Sequence, residues 1–221
     1  MRTGRSNTFY YPISLNLSGK KCVVVGGGVV ALRKVRGLLE HGANVEVISP
    51  SVCSEISALA EAGEIGVKAK RYEHGDLDDA FLVIVATAES DTNREVASEA
   101  RRRKVLVNVV DDPEQSDFNV PSIVRQRDLI IAISTGGKSP ALARKIRTRL
   151  EKIFGEEYAS LTDLINEVRS ELKQGQITVG GDEWQEALEL DLLLELLRNG
   201  QRDRAKTTLL NNLKAVARKK S

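Results

Sequence analysis

The chain has 221 residues, of which 41% are apolar, 29% charged and 4% aromatic. That is the profile of a folded globular protein of one good-sized domain, or a domain with an appendage, and it excludes a disordered or fibrous chain. A formal net charge of +2 is too small to argue for nucleic acid as a partner. No apolar run approaches the roughly 18 residues of a membrane-spanning helix, so no membrane association is expected.

Residues 1–20 read as a loosely ordered lead-in, polar and without the apolar stretch and small-residue cleavage site of a secretory signal. KCVVV (21–25) is a buried-strand pattern stopped by Gly26-Gly27-Gly28. From Val29 the pattern turns helical, with Ala31, Val35, Leu38 and Leu39 on one face and Gly42 as a stop. A strand follows at 45–49, a helix at about 52–62 ending at Gly63, and a strand near 65–71. FLVIVATA (81–88) is the most apolar run and predicts a central strand. Asp91 is positioned to cap a helix reaching Arg103, and VLVNVVD (105–111) predicts the next strand. Such alternation means a parallel sheet with helices on its faces.

After Asp112-Pro113 the pattern changes. FNVPSIV (118–124) and LIIAIST (129–135) predict a hairpin, and Ser139-Pro140 starts a helix to about Phe154. Beyond Gly155 the chain reads helical over 156–173, 182–198 and 201–218. Trp184 in this tail reads as core, and Arg101-Arg102-Arg103-Lys104 as a complement to a helix C-terminal dipole.

Three segments carry candidate chemistry. V-V-V-G-G-G-V-V-A fits strand, G-x-G-x-x-A, helix. Gly26 would permit the tight turn, Gly28 the approach of a pyrophosphate, and Ala31 close helix–sheet packing, with the N–H groups of the helix start aimed at the phosphates. The bland alternative is a tight turn that binds nothing. The acidic residue usual at the end of the second strand is missing; Ser49-Pro50-Ser51 stands there, and its hydroxyls and backbone could hold a ribose. No Arg at that strand end favours a 2′-phosphate, so NAD is expected rather than NADP.

The second segment is Asn108 to Asp112, at the carboxyl end of the last α/β strand, where open sheets collect ligands. Asp111 and Asp112 are adjacent, so in extended geometry they point to opposite sides and at most one faces a site. One could act as general base with Asn108 orienting a substrate, or both could simply shape the turn before Pro113. The third is Thr135-Gly136-Gly137-Lys138-Ser139-Pro140, a loop entering a helix that carries Arg144, Lys145, Arg147 and Arg149. It suits an anion such as a polycarboxylate, or it is a well-capped helix with a solvated basic face. Two cysteines (Cys22, Cys53) and two histidines (His41, His74) are too few for a disulfide framework or a structural zinc site, and a reducing, cytoplasmic setting is expected. Cys22 reads as packing and His74 as a surface loop residue.

Taken together, KCVVVGGGVVALRK, VIVATAESDTNREV, VNVVDDPEQSDFNVPSIV and IAISTGGKSPALARKIR resemble the siroheme-synthase family, the precorrin-2 dehydrogenase / sirohydrochlorin ferrochelatase domain. The resemblance covers about residues 10–150 in order, and the two later motifs are far more specific than the glycine turn. It implies an α/β chain of three parts: a Rossmann-type NAD-binding domain (1–115), a short β–α dimerisation connector (116–154) and a helical domain (155–221). It further implies NAD-dependent oxidation of precorrin-2 to sirohydrochlorin in siroheme (tetrapyrrole) biosynthesis, with ferrochelation in some members. The family's essential Asp falls on Asp111. Its dinucleotide contacts fall on Gly26, Gly27, Gly28, Val29 and Val30 and on Pro50-Ser51. The segment with Thr135, Gly136, Lys138 and Ser139, leading to Arg144, borders the tetrapyrrole cleft; members often have Ser where Thr135 stands. Members are homodimers in which connector and tail interlock, and a hairpin plus helices with little core of their own suits that. Any iron would be held by the macrocycle, since no protein metal site is expected. No methyltransferase domain is attached, so precorrin-2 is expected from another protein. Two other readings remain: a chelatase with little dehydrogenase activity, and a non-enzymatic nucleotide-sensing module. Such modules usually carry an acidic residue where Ser49-Pro50-Ser51 stands, and lack STGGKSP.

Overall fold

The computed structural model describes residues 10–219, so part of the expected lead-in lies outside the described residues. The chain divides into two compact units, residues 1–120 and 121–221.

The first unit holds β1 (Lys21–Val25), α1 (Val29–Leu39), β2 (Asn44–Ile48), α2 (Ser54–Glu61), β3 (Gly66–Lys68), β4 (Leu82–Val85), α3 (Ser90–Arg103) and β5 (Leu106–Val109). All strands are parallel, in the order β3-β2-β1-β4-β5. Alternation along β1 feeds both faces. Cys22 and Val24 pack with Ala31, Val35 and Leu38 of α1 and Ile56 of α2. Val23 and Val25 pack with Val96, Ala97 and Ala100 of α3. Burial on both faces is why β1 and β4 are unbroken apolar runs.

Several boundaries differ from expectation. The third strand is only three residues long, and the chain from 69 to 81 crosses to β4 without a helix. Asp91 does not cap α3: the cap position is Glu89, whose N–H is taken by the Thr87 hydroxyl at 2.9 Å, while Asp91 sits in the first turn beside Arg94. The basic run does lie at the C-terminus of α3, where Lys104 is a left-handed cap at φ +60°. The last strand ends at Val109, because Val110-Asp111 turn and Asp112 bridges back to Val109. The edge of β5 is covered by the chain that follows: Val107 N–H donates to Asp117 Oδ2 (3.1 Å) and Val109 N–H to Ser116 Oγ (2.9 Å).

The second unit holds β6 (Ser122–Gln126) and β7 (Leu129–Ile133), paired antiparallel, then α4 (Pro140–Leu150), α5 (Glu156–Gln174), α6 (Gly181–Ala187), α7 (Leu190–Arg198) and α8 (Arg202–Lys219). The hairpin is fastened to the helical tail: Gln126 Nε2 donates to the Phe154 carbonyl (2.7 Å), and Arg127 pairs with Asp163 (2.7 Å). Connector and tail therefore form one compact unit. The tail has a core of its own, contrary to expectation, with Leu164, Leu193 and Leu209 at 0% exposure and Trp184 among them. The single helix expected at 182–198 is broken at Leu188-Glu189. No Gly or Pro marks the break; the freed Ala187 carbonyl accepts from Asn212 Nδ2 of α8 at 3.1 Å. Among the described residues no helix is long and apolar enough to cross a membrane.

Candidate functional site

The strand order reverses between β1 and β4, and a cleft of about 650 Å³ opens there at the carboxyl ends of the strands. The glycine turn forms its floor. Gly26 sits at φ +126°, and a Cβ there would meet the Ala86 carbonyl oxygen at 2.5 Å. At Gly27 a Cβ would lie 2.0 Å from the Ser51 carbonyl oxygen, so the β1 and β2 loops can touch only without it. Gly28 is different: a Cβ would meet nothing within 4 Å. Gly28 is also the cap position of α1, and neither a side-chain cap nor an acidic residue closes that helix start. The first N–H groups are thus open to an anion. Val29 and Val30, 77% and 40% exposed, flank them as uncovered apolar surface.

Ser49, Pro50 and Ser51 line the cleft as expected. The Ser49 hydroxyl is buried, however, and donates to the Ser51 carbonyl (2.6 Å), so its proton holds the loop instead of facing a ligand. Sequence reasoning missed Arg71, Tyr72, Thr87, Glu89 and Thr92, which also line it. Thr87 was accessible in principle, since it follows the most apolar strand and β4 flanks the switch point. No Arg stands at the end of β2, as the sequence shows; Arg71 reaches the cleft from the segment after β3 and faces Glu89 at 3.8 Å.

Cys53 lines the cleft too, and its N–H donates to the Gly27 carbonyl (2.8 Å). Cys22 is fully buried in β1, and burial pushes its thiol up to about 11. Alkylation of the native protein should therefore modify Cys53 and spare Cys22, and NADH should slow it. Peptide mapping with and without NADH checks both points; labelling of Cys22, or no protection of Cys53, would contradict this geometry.

At the end of β5 the two aspartates separate. The Asp112 carboxylate is committed locally, accepting from Glu114 N–H, Gln115 N–H and Gln115 Nε2. Asp111 is exposed and held in the left-handed region at φ +62°. Asp is one of the few residues besides glycine that adopt this conformation readily. The preceding Val110 packs on the α1 face of the sheet. Lys34 of α1 is half-buried; burial lowers its pKa, Arg33 adds to this, and the Asp111 charge opposes it. Asn108 is buried, and its Nδ2 donates to the Phe118 carbonyl (2.9 Å), a bond that fastens the covering segment to β5. That amide is taken up by the fold.

Under the cleft wall lies a buried carboxylate. Glu99 of α3 is 1% exposed and accepts from Tyr72 Oη (2.6 Å), Gly75 N–H (3.0 Å) and Arg103 Nε (2.6 Å), with His74 Nδ1 at 2.6 Å. Burial raises its pKa, but the bonds from His74, Tyr72, Gly75 and Arg103 outweigh burial and hold it at about 2. Its contribution to stability is whole above the ordinary carboxylate range and is lost as pH falls through about 2.

In the second unit, Gly136 and Gly137 turn left-handed at φ +60° and +78°. The Thr135 hydroxyl accepts from Ser139 N–H (3.0 Å), and Ser139 Oγ caps α4 by accepting from Leu142 N–H (3.2 Å). Lys138 and Arg144 are exposed. Among the described residues, no three His, Cys, Asp or Glu gather to hold a metal ion.

A parallel sheet of this order, with an uncapped helix rising from a glycine turn over its switch point, is a Rossmann-type dinucleotide-binding domain. The NAD(P)-binding family NAD_binding_7 matches residues 13–122, and the sirohaem biosynthesis protein central family matches residues 126–153. The siroheme synthase of Tolumonas auensis is 38% identical over 93% of this chain, and that of Nitrosococcus oceani 42% identical over 75%. The chain spans 44% and 35% of the length of these two relatives. Among solved structures, SirC, a precorrin-2 dehydrogenase, superposes with a TM-score of 0.68 at 27% identity, covering 95% of this chain and 100% of that one. The chain belongs to the siroheme synthase family.

Proposed function

We propose that this chain oxidises precorrin-2 to sirohydrochlorin with NAD as the electron acceptor. The observation that carries this reading is the pairing of an open, uncapped phosphate cradle with the exposed, left-handed Asp111 at the carboxyl edge of the same sheet. The full-length likeness to a precorrin-2 dehydrogenase supports it.

The cleft fits a dinucleotide. Its volume suffices, Gly28 leaves room for a pyrophosphate, and the α1 N–H groups point to where one would lie. Gly26 and Gly27 keep the floor flat, while Pro50 and Ser51 offer backbone and hydroxyl groups to a ribose. A bound nicotinamide supplies a two-electron acceptor. Precorrin-2 loses two hydrogens as its conjugation extends, one with its electron pair and one as a proton. The Asp111 carboxylate is the acceptor for that proton. Thr135, Gly136, Lys138, Ser139 and Arg144 are the proposed partners of the substrate's carboxylates, through a helix start and exposed cations. Asn108 carries no part of this reading. NAD is favoured over NADP in this reading because no Arg stands at the end of β2 and Arg71 already faces Glu89.

A homodimer joined through the hairpin and α4 completes the proposal. Ile130, Leu142 and Ile153 are each about half exposed there, and among the hydrophobic residues described from β6 to α4 only Val124 and Ala143 are buried. The two free cysteines accord with a cytoplasmic setting. An anaerobic assay with precorrin-2 tests the function. Sirohydrochlorin should form with NAD, in step with NADH, and more slowly with NADP. Ferrous or cobaltous ion added to a parallel sample reads metal insertion separately. No NADH formation would refute the dehydrogenase reading.

A further inference from the structure

Parallel strands are usually joined by a helical crossover, yet the chain from β3 to β4 runs irregularly over residues 69–81. A helix-free connection of this length, built from successive turns over 74–79, is uncommon within a compact unit. Two buried carboxylates supply what a helix would have supplied. Asp76, 7% exposed, accepts from Glu73 N–H (2.9 Å) and pairs with Lys70 (3.1 Å) and Lys68 (3.5 Å), fixing the segment to itself and to β3. Glu99 reaches out from α3 and takes Gly75 N–H and the Tyr72 hydroxyl, fixing the segment to the helix packed on the same face of the sheet. Arg71 and Tyr72, carried by this segment, form part of the cleft wall. They come from the β3 side of the switch point, the side on which a Rossmann fold receives the adenosine half of a dinucleotide.

We infer that Glu99 is a positioning residue for the cofactor: through Tyr72 and Gly75 it holds the β3–β4 crossover in place as the adenosine-side wall of the cleft. It touches no ligand itself. The inference rests on the reading of the cleft as the dinucleotide site. Because Glu99 makes its four contacts from a buried position, the wall is set before the cofactor arrives, and binding need not order it. Without the Tyr72 hydroxyl bond the ring is held by its packing on the core under α3 alone, and affinity falls by the cost of fixing its outer edge again.

The test uses Tyr72→Phe, which keeps the ring and removes one hydrogen bond, and Glu99→Gln, which puts an amide NH₂ against donors. Titration of the purified protein with NADH and with ADP-ribose gives dissociation constants, and circular dichroism and Tm report folding. Both variants should bind NADH and ADP-ribose about tenfold more weakly, with KM for NAD raised in step and kcat within about twofold of wild type. A purely structural role would lower Tm and leave the dissociation constants, measured well below Tm, unchanged. If wild type binds NADH and Tyr72→Phe binds it equally well, the inference is overturned and the cofactor reading stands. If wild type binds neither probe, both fall. Should Glu99→Gln fail to fold, Tyr72→Phe decides alone.

Discussion

Asp111→Asn is expected to lower precorrin-2 turnover by about 10²- to 10⁴-fold, the range a positioned general base contributes, while NADH binding stays as in wild type. Asn is the informative substitution because Asn, like Asp, tolerates the left-handed region, so the φ of +62° is retained and only the basic oxygen is lost. Ala would mix loss of the base with backbone strain. Asp112→Asn is the matched control. Its amide oxygen can still accept from Glu114 and Gln115 N–H, so turnover should survive. Asp112→Ala, which removes the cap, should cost about 1 kcal/mol of stability. Steady-state rates and NADH titrations of the variants decide the point; wild-type turnover by Asp111→Asn would end the assignment of Asp111 as base.

Gly28→Val is expected to abolish NADH binding while the protein still folds, with a stability loss of no more than the roughly 1 kcal/mol that a less favoured cap residue costs. The backbone at Gly28 is extended (φ −88°, ψ −172°), which suits a β-branched residue, and its Cβ would meet nothing in the protein within 4 Å. Any loss must then come from the space a ligand occupies. Gly27→Ala should behave in the opposite way. Its methyl would sit 2.0 Å from the Ser51 carbonyl oxygen and 2.8 Å from Ser49 Oγ. The two loops must part, at a cost of about 1–3 kcal/mol or more. Thermal melts and NADH titrations of the pair separate the two roles. Unchanged affinity in Gly28→Val would show that no phosphate lies over that turn.

How much of this was legible beforehand depends on the range of the interactions concerned. β1, α1, β4 and the β6–β7 hairpin could be read because burial on one or two faces stamps its period directly on the sequence. The motif around Asp111 could be read by resemblance, but its geometry could not. Extended spacing put Asp111 and Asp112 on opposite sides, whereas the strand stops at Val109 and Asp112 turns back to cap the residues that follow it. Asp91 looked like a cap because the residue type suits one; the helix begins at Ser90, one residue earlier, and Asp91 falls in its first turn. The break after Ala187 left no trace, since its compensating donor, Asn212, lies on another helix.

The amino-acid sequence by itself determined the parallel sheet, the glycine turn, the capped start of α4 and the family. These follow from contacts between residues near in the chain, or from whole faces with a fixed period. Tertiary structure alone decided which aspartate is free, where the Ser49 hydroxyl points, and that Arg71 and Tyr72 wall the cleft over the buried carboxylate of Glu99. Those outcomes rest on single polar contacts made across strands and layers. A hydrogen bond from a distant segment leaves no periodic signal, because it fixes one side chain at one position and asks nothing of its neighbours in the chain.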